Sequence, residues 1–219
     1  MALQAACRVK YKAVIFDLDG TLVHTTPEYR YLVVGGTLER LGVKSYDKRH
    51  VDKFWFEAGR SEIIRHDFGV VPEEFWGIYR TLDTAEFRKG YAAAYDDVSF
   101  IAELRRRGYK LGIVTGAPLE IAGLETALLG TENFDAIVVA HTLNGIRPKP
   151  HPDGLERCMN LLGVGPRETV YVGNAEEDVR TARNADVFDV IVRRGEYEFT
   201  GMEPSLEIDS LFGLRGILP

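Results

Sequence analysis

The stretch Val14-Ile15-Phe16-Asp17-Leu18-Asp19-Gly20-Thr21-Leu22 carries a short apolar run into two carboxylates and a glycine. Residues 13 to 16 read as a strand buried on both faces, the pattern of a parallel sheet, so Asp17 falls at its carboxyl end. Open α/β sheets bind their ligands at those ends. Asp17 and Asp19 share one side of an extended chain, and Gly20 permits the sharp turn that follows. Two carboxylates so placed can hold a divalent cation, or divide into a nucleophile and a general acid/base. The same letters also spell an ordinary acidic turn, so the rest of the chain decides between these readings.

Apolar, β-branched runs recur at 111–115, 136–140, 170–172 and 187–192, with helical periodicity between them at 99–108, 119–129, 152–162 and 177–184. This alternation predicts an α/β fold, a Rossmann-like parallel sheet with right-handed crossovers and helices on both faces. The first strand is the exception. About 90 residues separate Thr21 from Thr115, far more than one crossover requires. Helix-like stretches at 29–41, 48–57 and 72–95 fill that interval. Their aromatics Phe54, Trp55, Phe56, Phe75, Trp76, Tyr79, Phe87 and Tyr91 have the spacing of a small core. The expected organisation is a core domain of residues 1–24 plus 96–219, with a helical cap domain of residues 25–95 inserted after the first strand.

Three further stretches fall in order along the chain. Leu111-Gly112-Ile113-Val114-Thr115-Gly116 is an apolar strand ending in a hydroxyl residue and a glycine. Arg147-Pro148-Lys149-Pro150-His151-Pro152 sets a lysine between prolines. Val170-Tyr171-Val172-Gly173-Asn174-Ala175-Glu176-Glu177-Asp178 ends a strand in an acidic loop. With Asp17-Leu18-Asp19-Gly20-Thr21-Leu22 they resemble, in order, the four motifs of the haloacid dehalogenase-like hydrolases, most of which are Mg²⁺-dependent phosphatases. The resemblance frames nearly the whole chain and places the insert where that family carries a helical cap.

The resemblance makes Asp17 the nucleophile that forms an aspartyl-phosphate, and Asp19 the general acid/base that serves leaving group and water in turn. Dehalogenating members lack the second carboxylate, so Asp19 favours phosphoryl transfer. Thr115 and Gly116 take the phosphate-gripping position, where many relatives carry Asn or Ser in place of the glycine. Lys149 takes that of the charge that neutralises the phosphoryl group. Mg²⁺ is expected on Asp17, the Asp19 main-chain carbonyl and Asn174, with Asp178 behind them or orienting Lys149. Asn174 is a departure: the family usually has an acidic ligand there, and its loss predicts weaker metal binding. In the insert, Arg60 and Arg65 are candidates for a substrate carboxylate, and His24 is a candidate for the cavity entrance.

A formal charge of −6 argues against a general nucleic-acid or anionic-membrane binder. The two cysteines, Cys7 and Cys158, match no metal or redox spacing and read as free thiols in a reducing compartment. No stretch resembles a signal peptide or a bilayer span, which makes a cytoplasmic location the default. The expected function is hydrolysis of a small phosphorylated metabolite, phosphoglycolate-like in the first instance. Alternatives are a phosphosugar mutase of the same fold, and a weakened phosphometabolite-binding protein whose sole support is Asn174.

Overall fold

The computed structural model describes residues 11–197 and 202–218; Cys7 lies outside them. In chain order the elements are β1 (Ala13–Phe16), β2 (Val23–Thr25), α1 (Pro27–Arg40), α2 (Lys48–Phe56), α3 (Arg60–His66), α4 (Pro72–Leu82), α5 (Ala85–Arg88) and β3 (Ala92–Ala94). There follow α6 (Phe100–Arg106), β4 (Lys110–Thr115), α7 (Leu119–Leu129), β5 (Ala136–Val139), α8 (Asp153–Leu162), β6 (Thr169–Gly173), α9 (Glu176–Asn184), β7 (Phe188–Val192) and β8 (Leu206–Ile208). Six strands form one parallel sheet in the order β5-β4-β1-β6-β7-β8.

Every residue of β1 is buried, and its alternation explains why the run is unbrokenly apolar. Val14 and Phe16 face one layer, with Phe100, Ile101 and Leu104 of α6 and Leu211 and Leu214 near the carboxyl terminus. Ala13 and Ile15 face the other, with Leu155, Cys158 and Leu162 of α8 and Ala182 of α9. Each fully buried Val, Ile or Phe contributes roughly 1.5–3 kcal/mol, so the central strand is held from both sides. Phe16 pairs with Ile113 on one flank and Val172 on the other. The Asp17 amide donates to the Val172 carbonyl at 2.8 Å. That register brings Asp17 level with the ends of β4 and β6, where Thr115 and Gly173 lie.

The interval between β1 and β4 holds α1 to α5, which have a core of their own: Val34, Leu38, Val51, Phe54, Ile63, Ile64, Phe68 and Phe75. The stretch 72–95, whose periodicity suggests one helix, is in fact α4, α5 and β3. The break comes at Asp83-Thr84, where the Thr84 hydroxyl caps α5 by accepting from the Phe87 amide at 3.3 Å. Ala92–Ala94 then pairs antiparallel with Val23–Thr25, so the chain enters and leaves this helical lobe through adjacent strands. No helix among the described residues is long and apolar enough to cross a membrane.

Candidate active site

Between the carboxyl ends of β1, β4 and β6 and the helical lobe lies a cavity of about 400 Å³, within the range of small-molecule sites. Its floor includes Asp17, Asp19, Thr115, Gly116, Lys149, Asn174 and Asp178, and its roof Trp55, Phe56, Arg60, Trp76, Arg80 and Arg88; His24 lies on its wall. The four separated stretches of sequence therefore converge on one space. Of the candidate residues only Arg65 is not on its lining; it is exposed and pairs with Glu62 at 2.5 Å.

Lys149 is the electrostatic centre. Its Nζ donates to Asp17 Oδ1 and to Asp178 Oδ1, both at 2.7 Å, and all three side chains are less than a tenth exposed. Burial alone raises the Asp17 carboxyl above the ordinary carboxylate range; Lys149 pulls it back and Asp178 pushes it up again. Burial works against the Lys149 charge, yet Asp17 and Asp178 outweigh it and hold the ammonium above its ordinary value. The Asp178 carboxylate is saturated. Oδ1 also accepts from the buried Tyr171 hydroxyl at 3.1 Å, and Oδ2 from the amides of Asn174 and Ala175 at 3.1 Å. With its lone pairs so occupied, Asp178 holds Lys149 and shapes the loop. A Cβ at Gly173 would collide with it, which is why that position is a glycine.

Thr115 Oγ1 accepts from the Ala117 amide at 3.1 Å, which leaves the hydroxyl proton free for an oxygen in the cavity. A Cβ at Gly116 would meet open space. At the opposite side, Thr21 Oγ1 lies 3.0 Å from Asp17 Oδ2 and 3.2 Å from Asn174 Oδ1, so one hydroxyl faces both oxygens. Gly20, at φ +81°, has no room for a Cβ against the Asn174 amide. The neighbouring oxygens of Asp17 and Asn174 are hard donors of the kind Mg²⁺ takes, an ion that accepts few protein oxygens and keeps its waters. Among the described residues no group of three or more His, Cys, Asp and Glu side chains forms a metal-binding cluster; a cation here would need the Asn174 amide oxygen besides Asp17.

Arg88 and Arg80 on the cavity lining, and Glu125 behind Arg88, belong to no sequence motif. Arg88, from the last turn of α5, donates to Asp19 Oδ2 at 2.6 Å and to Glu125 Oε1 at 2.8 Å. Glu125, on α7, is wholly buried. Burial and the nearby Asp19 push its carboxyl up to about 9 against the pull of Arg88. Arg80 lines the roof and forms no ion pair with any described residue. Arg60 also lines the roof, its guanidinium donating to the Phe54 and Trp55 carbonyls at 3.2 and 3.4 Å.

A family model described as haloacid dehalogenase-like hydrolase matches residues 11–186. The chain belongs to that family. It is 29% identical over 220 residues to the pyrophosphatase PpaX of Bacillus mycoides, covering 96% of this chain and 98% of that protein. The crystal structure of a HAD phosphatase from Thermococcus onnurineus superimposes with a TM-score of 0.67 at 30% identity, over 94% of this chain and 97% of the other. A predicted phosphoglycolate phosphatase from Haemophilus somnus superimposes with a TM-score of 0.76 at 20% identity, over 95% and 98%; at that identity the likeness is one of fold. The protein is thus an α/β hydrolase of the haloacid dehalogenase-like kind, with phosphatases among its relatives.

Proposed function

We propose that the protein is a Mg²⁺-dependent phosphomonoesterase acting on a small phosphorylated metabolite through an aspartyl-phosphate. The observation that carries this reading is Lys149 bridging Asp17 and Asp178 at 2.7 Å on the floor of a cavity that also holds Asp19 and Thr115. A carboxylate already ion-paired to a buried ammonium stands where a phosphoryl group would add further negative charge, and Lys149 offsets both.

In this reading the Asp17 carboxylate attacks phosphorus. As the bond to the leaving oxygen breaks, Asp19 gives that oxygen a proton. The ionised Asp19 then takes a proton from water as the water attacks the aspartyl-phosphate, which restores Asp17 and releases phosphate. Thr115 donates its hydroxyl to a phosphoryl oxygen, and Gly116 lets the substrate approach the backbone. Asp178 keeps Lys149 in place. Mg²⁺, held by Asp17, Asn174 and the Asp19 main-chain carbonyl, would lend positive charge to the phosphoryl oxygens. The helical lobe acts as a cap that excludes water from the cavity. Arg60 and Arg80 in its roof favour an acidic leaving group, a class that includes phosphoglycolate.

The test is phosphate release from phosphoglycolate, sugar phosphates, nucleotides and pyrophosphate, with Mg²⁺ and with EDTA, for the parent and for Asp17→Asn. Metal-dependent release that Asp17→Asn abolishes is expected. Release that survives Asp17→Asn, or none from any compound, overturns the reading.

A further inference from the structure

The residue that fixes Asp19 lies outside every motif. We propose that Arg88, itself fixed by Glu125, is a positioning residue for Asp19: it holds Oδ2 so that the proton exchanged with leaving group and water is carried on Oδ1. This rests on the phosphatase reading given above and extends it to the helical lobe.

The direction of control follows from burial. The Arg88 side chain is 3% exposed and Glu125 0%, whereas Asp19 is 32% exposed and open to the cavity. Arg88 is set from several sides: Glu125 Oε1 at 2.8 Å, Asp83 at 3.9 Å from Nε, and the rings of Tyr29 and Trp55 at 5.5 and 5.8 Å from the guanidinium carbon. Its place is thus determined without Asp19, and the exposed carboxylate is the member that is held. The planar fork reaches both carboxylates at once through separate nitrogens; a lysine ammonium is one point charge and lacks that fork.

The electrostatics agree. Burial and the nearby Asp19 push the Glu125 carboxyl up against the pull of Arg88, and its Oε1 engages Arg88 Nη1 while Nη2 is left to Asp19 Oδ2. Arg88 Nε and Glu125 Oε2 have no hydrogen-bond partner. Of the two short bonds that Arg88 makes, one anchors it to Glu125 and the other, the shorter, holds Asp19.

General acid catalysis matters most when the leaving group is poor, which gives a readout that a purely structural role would not move. The experiment measures kcat/KM for an alkyl phosphomonoester and for 4-nitrophenyl phosphate, whose leaving group needs little protonation. Parent, Asp19→Asn, Arg88→Lys and Arg88→Gln are compared, each checked for folding by circular dichroism. Asp19→Asn is expected to lose about 10²-fold or more on the alkyl ester and far less on the aryl ester. Arg88→Lys and Arg88→Gln are expected to show the same selectivity, with at least about tenfold lost on the alkyl ester alone. If Asp19→Asn is selective while the folded Arg88 variants lose both substrates equally, or neither, Arg88 does not position Asp19. If Asp19→Asn is itself unselective, the acid/base assignment fails and this proposal falls with it. The two Arg88 variants are made together so that misfolding of one leaves the other to decide.

Discussion

Lys149 Nζ and Asp178 Oδ1 lie 2.7 Å apart although 29 residues separate them, and the same Nζ lies 2.7 Å from Asp17 Oδ1. The contact crosses from the proline-flanked loop to the first turn of α9. It fixes the ammonium against Asp17, and the three buried groups form a chain of alternating charge.

Lys149→Met breaks that chain and leaves two buried carboxylates without their cation. Removing one partner of a buried ion pair costs roughly 3–5 kcal/mol. Urea denaturation at neutral pH should show a loss of about that size, together with loss of turnover. A variant as stable as the parent would mean that water enters and solvates Asp17 and Asp178.

Glu125→Gln tests the charge state of the wholly buried carboxyl. Its folded pKa, about 9, exceeds the ordinary value of 4.5. The folded protein therefore binds the proton more tightly than the unfolded chain. That contribution is complete below about pH 4.5 and is lost as pH rises toward 9, at no more than about 1.4 kcal/mol per pH unit. The glutamine variant has no such loss. Thermal or urea unfolding at pH 5 and pH 8.5 should find its stability relative to the parent improving with pH; a pH-independent difference would place a charged Glu125 beside Arg88.

Asn174→Asp restores a carboxylate beside Asp17. Calorimetric titration should show Mg²⁺ binding about tenfold tighter than in the parent. Without metal the variant should melt lower, because the single Thr21 proton now faces two carboxylates and can bond only one of them. Unchanged affinity would remove Asn174 from the proposed metal site.

Much of the core was legible because its signals are local. The runs 13–16, 111–114 and 170–172 are apolar throughout, as strands covered on both faces must be, and each delivers its polar residue at the carboxyl end. Arg88 and Glu125 were not legible. Arg88 sits in a stretch whose periodicity continues across the break at Asp83-Thr84, and an arginine at the end of a helix is ordinarily a solvated dipole partner. Glu125 lies on α7 among Ile121, Ala122, Thr126 and Leu129, all buried, but α7 is so apolar around its circumference that the sequence does not show which side faces the cavity. Only the position of Arg88 in space explains a carboxyl there. The ladder between Val23–Thr25 and Ala92–Ala94 was hidden for another reason: three alanines have little strand preference, and their partner is almost 70 residues earlier. The spacing of the aromatics predicts a core of the insert; Phe54 and Phe75 form part of it, while Phe54, Trp55, Phe56 and Trp76 also face the cavity.

That short ladder has an architectural consequence. Val23 lies opposite Ala94 and Thr25 opposite Ala92, so everything between them is a loop whose two ends are already clasped. Closing such a loop costs nearly the same whether it holds a few residues or many, since the entropy grows only with the logarithm of length. The sheet beneath is therefore indifferent to the size of what is mounted on it. A lineage could exchange the helical lobe for a shorter or longer one, and with it the roof of the cavity, while β1, β4 and β6 kept their register and the Asp17–Lys149–Asp178 chain was left untouched.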